Sequence, residues 1–231
     1  MLHISDEEYQ QLRTSFDLCS WINDKLHELE KENDFEELYF ERRGKNIKQL
    51  LEEAIPVSHL GLFFHRPWTT INVTCFSDNR DHDAVIEIRD PQGHIARVKI
   101  EVTTTEDAYS TMRRQALSRY GHVSLTGLIR REGRTFITEP EMVDIKDTLN
   151  EIYNITMTRL RRKLANIYDD TTAILVYVQS YTTLPARFKC GLVEAARELL
   201  IAKNPALYGI YFTYSLGYGV DGIRNNSSEL Y

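Results

Sequence analysis

Asp83-Ala84-Val85-Ile86-Glu87-Ile88-Arg89, Asp90-Pro91-Gln92-Gly93-His94 and Ile95-Ala96-Arg97-Val98-Lys99-Ile100-Glu101-Val102-Thr103 follow one another without a break. In the first run Ala84, Ile86 and Ile88 fall on one side, and Asp83, Val85, Glu87 and Arg89 on the other, which is the two-residue period of a strand. The second run carries Pro and Gly where a tight reversal wants them. The third alternates again, with Ala96, Val98, Ile100 and Val102 opposed to Arg97, Lys99, Glu101 and Thr103. An antiparallel hairpin with one apolar and one charged face is therefore predicted. It places Asp83 and Glu101 on the same polar face of paired strands.

Upstream, Thr69 to Phe76 places Ile71, Val73 and Cys75 on one side and reads as a third, half-buried strand. Before it, Ser5 and the acids Asp6, Glu7 and Glu8 cap and charge a helix. Tyr9, Leu12, Phe16, Cys19, Ile22, Leu26 and Leu29 carry that helix to about Lys31. A short helix is expected within residues 33–43, and a further one from Lys45 to Ala54, with Pro56 just past its end.

Downstream, Thr104-Thr105-Glu106-Asp107 starts a helix that carries Met112, Gln115, Ala116 and Leu117 and stops at Gly121. Leu125 to Arg130 and Arg134 to Thr138 read as short strands joined at Arg131-Glu132-Gly133. A long amphipathic helix follows from about Glu141 to Ile167. The apolar run Thr172 to Gln179 is too short for a lone helix and reads as a strand covered on both faces. Residues 189–202 form a helix, Leu207 to Tyr214 a strand, and the Gly- and Asn-rich tail after Gly217 is expected to be irregular. This order implies an α/β fold, a mixed sheet flanked by helices with a long-helix insertion.

The chain has 231 residues, 42% hydrophobic and 27% charged, which fits a globular fold and excludes disorder or a fibrous repeat. The first residues show no signal-peptide pattern, and no apolar run approaches the ~20 residues of a membrane span. A soluble, cytoplasmic protein without a membrane partner is expected. Cys19, Cys75 and Cys190 are far apart, so neither a disulfide framework nor a structural zinc site is indicated. His59, His65, His94 and His122 form no close ligand pattern. Ser124, Ser180 and Ser215 lack nucleophile-elbow neighbours, and the glycines after Tyr214 lack the context of a dinucleotide site.

Two carboxylates a few ångströms apart repel unless a proton or a cation offsets them, and hard divalent cations prefer oxygen donors. Asp83, the hairpin, then Ile100-Glu101-Val102 leading into a helix resembles the core of the PD-(D/E)xK restriction-endonuclease-like superfamily. The resemblance covers roughly residues 41–120 and 172–179. It implies a restriction-endonuclease-like fold and divalent-metal-dependent phosphodiester hydrolysis, with Mg²⁺ or Mn²⁺ held by Asp83, Glu101 and the Val102 carbonyl. Glu52 or Glu53 corresponds to an additional upstream acid, and Gln115 to a glutamine several branches carry on the following helix. The chain departs from the pattern at the lysine, where Thr103 stands. Lys99, on the same strand face as Glu101, is the candidate replacement, and His82 a further water-handling candidate. In this reading residues 1–40 are an N-terminal helical extension, and residues 41–231 form the nuclease-like domain, with 121–168 inserted.

The net charge of -6 is unevenly spread: residues 1–64 hold 14 acids and 7 bases, whereas residues 97–134 hold 8 bases and 4 acids. Arg113, Arg114, Arg130 and Arg131, with Arg119 and Arg134, are candidates for gripping nucleic-acid phosphates. The basic cluster Arg159, Arg161, Arg162 and Lys163 is explained equally by a helix C-terminus. Three function classes fit: a metal-dependent nuclease, a catalytically inactive nuclease-like module binding nucleic acid or protein without any cofactor, and a structural or regulatory homo-oligomer.

Overall fold

The computed structural model describes residues 3–78, 80–106, 108–123, 128–133, 135–139, 144–180, 183–215 and 219–225. Ser124, Arg134, Asp107 and the start of the expected strand at Leu125 lie outside the described residues. The fold is a mixed α/β sheet flanked by helices, with helical insertions.

The central hairpin forms as its alternation requires. β3 (Ala84–Arg89) and β4 (Ile95–Thr104) pair antiparallel from Ala84↔Ile100 to Arg89↔Ile95. The reversal is closed by Asp90, whose carboxylate accepts from the His94 amide at 2.8 Å, and by Gly93 at φ +89°, a conformation glycine adopts without steric cost. β2 (Thr70–Cys75) pairs antiparallel with β3 and buries Ile71, Val73 and Cys75. On its other side β4 runs parallel to β7 (Thr172–Val178), and β7 runs parallel to β8 (Gly209–Tyr214). All seven residues of β7 are buried, the mark of a strand with helices on both faces.

Helices cover the two faces separately. On one, α2 (Ser15–Leu29) and α5 (Ile55–Phe64) contribute Leu18, Ile22, Val57 and Leu60 to a core with Ile71, Ile86, Val98, Ile100 and Leu175. On the other, α7 (Ile145–Lys163) and α8 (Ala186–Lys203) place Met157, Leu160, Leu192 and Ala196 against Ile174, Val176, Val178, Ile210 and Phe212. Successive β7 residues thus enter opposite cores. Between β4 and α7, α6 (Ala108–Tyr120) packs on β5 (Leu128–Glu132), which pairs with β6 (Thr135–Glu139) around Ala116, Ile129 and Phe136. No helix among the described residues is long and apolar enough to cross a membrane.

Three expectations are corrected. The N-terminal helix is not continuous to Lys31. α1 (Asp6–Tyr9) ends, β1 (Arg13–Thr14) pairs with Asn72 and Val73 of β2, and α2 starts afresh. The break is stabilised locally: the buried Arg13 guanidinium donates to the Glu8 and Gln11 carbonyls at 2.7 and 3.0 Å, and the Thr14 hydroxyl accepts from the Asp17 amide. Those partners satisfy groups that a helix terminus otherwise leaves open. The exposed Leu12 and Phe16 fall outside the core as a result.

Pro56 does not follow a helix end. α4 (Lys45–Gln49) passes through a π-helical turn (Leu50–Ala54) into α5, with Pro56 in its first turn. A proline removes one backbone donor and crowds the preceding turn, and the wider turn accommodates both. The tail also contains an ordered element, β9 (Val220–Arg224), paired antiparallel with β8. Gly222 permits that pairing, since a Cβ there would collide with the Tyr211 ring and lie 3.0 Å from the Ile210 carbonyl.

Candidate active site

Pairing between β3 and β4 stops at Ala84↔Ile100, while β4 continues to Thr104 along β7. The Asp83 amide donates to the Ile100 carbonyl at 2.8 Å, one residue off the register of the ladder, so Asp83 turns out of the regular pairing where β3 begins. Val102 is the next β4 residue whose backbone faces β3, and there it meets no strand. The Asp83 carboxylate fills the gap, its Oδ2 accepting from the Val102 amide at 2.7 Å. In an extended residue the N–H and C=O point to the same strand edge. The Val102 carbonyl therefore opens toward Asp83 as well.

The site is electrostatically loaded. Burial pushes the Asp83 carboxyl up to about 6; the Val102 amide opposes that rise, the Glu101 charge adds to it, and Lys163 and His82 oppose it. Glu53, in the π-helical turn, is pushed up to about 8 by burial, then by Asp83 and Glu52, with a smaller push from Glu101 and opposition from Lys48. Its Oε2 is buried and has no hydrogen-bond partner. Three acids from a helix and two strands thus act on one another, in surroundings that penalise their ionised forms.

Lys163, in the last turn of α7, ion-pairs with Glu101 across the sheet face, both side chains being largely shielded. Lys99 shares Glu101's strand face but donates to Asp169 at 2.8 Å, and it joins Glu101, Arg80, Tyr168 and Asp169 around a cleft of about 330 Å³. Asp169 is held well below the usual carboxylate range by that lysine and by the Thr171 and Thr172 hydroxyls. Thr103, two residues after Glu101 on the same face, is buried. The ammonium paired with Glu101 therefore comes from the distant helix α7.

Other candidates are placed elsewhere. Gln115 is half-buried in α6, whose packing is against α3 (Phe35–Phe40) and β5, and it makes no hydrogen bond to Asp83 or Glu101. Arg114 is tied to the Glu106 carboxylate and the Phe40 carbonyl. Arg130 lies 3.3 Å from Glu132, while Arg131 donates to the Gly133 carbonyl and lies over Phe136. His82 is bonded to Asp81 at 2.6 Å and packs edge-on against Phe76. The arginines are thus divided between α6 and the β5–β6 hairpin, and most are engaged within the fold.

Lys163, Tyr168 and Asp169 were not legible as site residues. Lys163 was readable only as one of several bases at a helix end. Its approach to Glu101 depends on where α7 crosses the sheet, about sixty positions later in the chain.

Among the described residues no three His, Cys, Asp or Glu side chains are grouped so as to hold a metal ion by themselves. Two carboxylates and a carbonyl at Asp83, Glu101 and Val102 still suit a cation such as Mg²⁺, which commonly binds one or two protein carboxylates and completes its shell with water and substrate phosphate. Comparison of the chain with protein-family models, with curated proteins and with solved structures finds no match.

Proposed function

We propose that the chain hydrolyses phosphodiesters with a divalent cation, through a variant of the restriction-endonuclease-like site. The observation that carries this reading is the Asp83 carboxylate seated on the Val102 amide just before β3, within electrostatic reach of Glu101 and of the Lys163 ammonium that pairs with Glu101. The strand order β2-β3-β4-β7, with three antiparallel strands followed by a parallel one, agrees with the core that the resemblance implies.

Asp83, Glu101 and the Val102 carbonyl hold the cation, which when bound polarises the phosphoryl group and lowers the pKa of water. Asp83 is positioned for this by the Val102 amide. Lys163 supplies the positive charge absent at Thr103. Its ammonium can donate to an attacking water and to a phosphate oxygen, at the cost of its pairing with Glu101. Lys99 and Arg80, on the adjoining cleft, hold the flanking phosphate.

A nuclease assay tests this, using single- and double-stranded DNA and RNA with Mg²⁺, Mn²⁺ or chelator. Asp83→Asn and Glu101→Gln should each reduce cleavage by about 10²–10⁴-fold, and Lys163→Met by about 10²–10³-fold. Cleavage that persists in chelator at the same rate in wild type and all three variants is contamination, and it removes the proposal.

One observation favours a second reading, a nuclease-like module that binds nucleic acid or protein without cleaving it: Lys163 already neutralises Glu101 directly. In that case the acids and the lysine act structurally. Lys163→Met would then lower thermal stability, with no divalent-dependent hydrolysis in any protein.

A further inference from the structure

A second cavity, of about 610 Å³, lies at the carboxyl ends of the parallel strands, lined by Tyr177 near the end of β7 and by Gln179 just past it. It belongs to the face covered by α2 and α5, since Tyr177 has the parity of Ala173 and Leu175, which enter that core. None of Glu53, Asp83, Glu101 and Lys163 lines it, so the cavity is distinct from the acidic site. Its volume is within the range of roughly 300–1,000 Å³ typical of small-molecule sites.

The lining is chemically one-sided. Arg42, Arg113 and Arg114 contribute to it, and among the described residues no Asp or Glu does. Glu52 and Glu106, which pair with Arg42 and Arg114, hold the guanidiniums from behind, outside the cavity. Such backing fixes the orientation of a guanidinium while leaving some of its five donors for another acceptor. On Arg42 the Nε is buried with no hydrogen-bond partner.

Arg42 is also the only non-glycine with positive φ (+53°) among the described residues. An L-residue rarely adopts this region, and such strain clusters at ligand sites. Here it turns the Arg42 side chain from the end of α3 toward Glu52 and the cavity. Facing the arginines are aromatic walls: Tyr39 and Phe40 from α3, and the buried Tyr177 from β7. Tyr177 is within electrostatic reach of both Arg42 and Tyr39, so the cationic and aromatic parts of the lining are adjacent.

We infer that this cavity binds a nucleotide-sized ligand, with a planar base against Tyr39 and Tyr177 and a phosphate at Arg42 and Arg113. The pairing of fixed guanidiniums with aromatic rings suits one molecule that carries both an anion and a π-face. Gln179 adds an amide able to meet a base edge. The shared chemistry has two sources, a free nucleoside monophosphate or the phosphorylated end of a strand.

The test is isothermal titration of the full chain, in chelator, with AMP, GMP, CMP and UMP, with the matching nucleosides, and with a 5′-phosphorylated single-stranded tetranucleotide. At least one monophosphate should bind with Kd below about 1 mM, tenfold or more tighter than its nucleoside; this corresponds to about 1.4 kcal/mol. Arg113→Gln should weaken it at least tenfold, and Ser110→Trp, which fills the cavity from α6, should abolish it, with the ligand-free Tm of both variants measured alongside. Asp83→Asn/Glu101→Gln should leave it unchanged. A tetranucleotide that binds as tightly as the monophosphate assigns the strand end, and one that is excluded assigns the free nucleotide. Three results would each overturn the inference: no binding below 1 mM by any monophosphate, wild-type affinity in either cavity variant, or loss of binding in the acidic-site double variant.

Discussion

At the residue scale, Glu53 and Asp83 tie stability to pH. Their folded-state pKa values, about 8 and about 6, lie above the ordinary 4.5 and 3.8, so between those limits the native state holds more protons than the unfolded chain. Stability then falls as pH rises, through about 4.5 to 8 for Glu53 and about 3.8 to 6 for Asp83. Glu53→Gln, which mimics the neutral acid, should therefore gain stability relative to wild type by about 2–4 kcal/mol between pH 4.5 and pH 9 in chelator. Urea unfolding at the two pH values checks this, and an unchanged difference would show that Glu53 is solvated when ionised. A cation at Asp83 and Glu101 reverses the dependence, because it binds the ionised pair. Mg²⁺ at ten times its Kd should stabilise the protein by about 1.4 kcal/mol at pH 8 and by much less at pH 5. Thermal scans with and without Mg²⁺ read the difference, and Asp83→Asn should remove it.

At the element scale, the strands were legible where only one face is buried. Ala84, Ile86 and Ile88 against Glu87 and Arg89 leave one workable register, and a slip by one residue would expose the whole apolar set. The N-terminal helix was misread because Leu12 and Phe16 continue the helical spacing, although both are exposed. Periodicity could not show that the Arg13 guanidinium closes α1 or that Thr14 caps α2. Thr14→Ala should cost about 0.5–2 kcal/mol in chemical denaturation, as the loss of a cap does. β9 was missed for a related reason: its glycine lowers strand propensity, while the ring of Tyr211 needs that space. At Gly209 a Cβ would come within 2.6 Å of the Ile223 carbonyl, so Gly209→Ala should destabilise by about 1–3 kcal/mol through overpacking of the β8–β9 pair. A variant as stable as wild type would mean that β9 moves at little cost.

At the scale of the whole molecule, β7 joins the two cores, with Leu175 in one and Val176 in the other. Trp21 packs beside the first core only, yet Val176→Ala, on the opposite face, should shift its fluorescence transition together with the far-UV circular dichroism transition. Separate midpoints would show that the two layers unfold independently.

The alternation of residues 83–103 determined the hairpin and its apolar face, because a strand's period and a tight turn are set by neighbours a few residues apart. The all-apolar run of β7 likewise announced a doubly covered strand. Only the tertiary structure decided that Lys163, rather than Lys99, stands against Glu101, that Glu53 presses on Asp83, and that Arg42 turns into a cavity beside Tyr177. Those meetings depend on how helices cross the sheet, which is fixed by the packing of two whole cores and leaves no periodic trace in the chain.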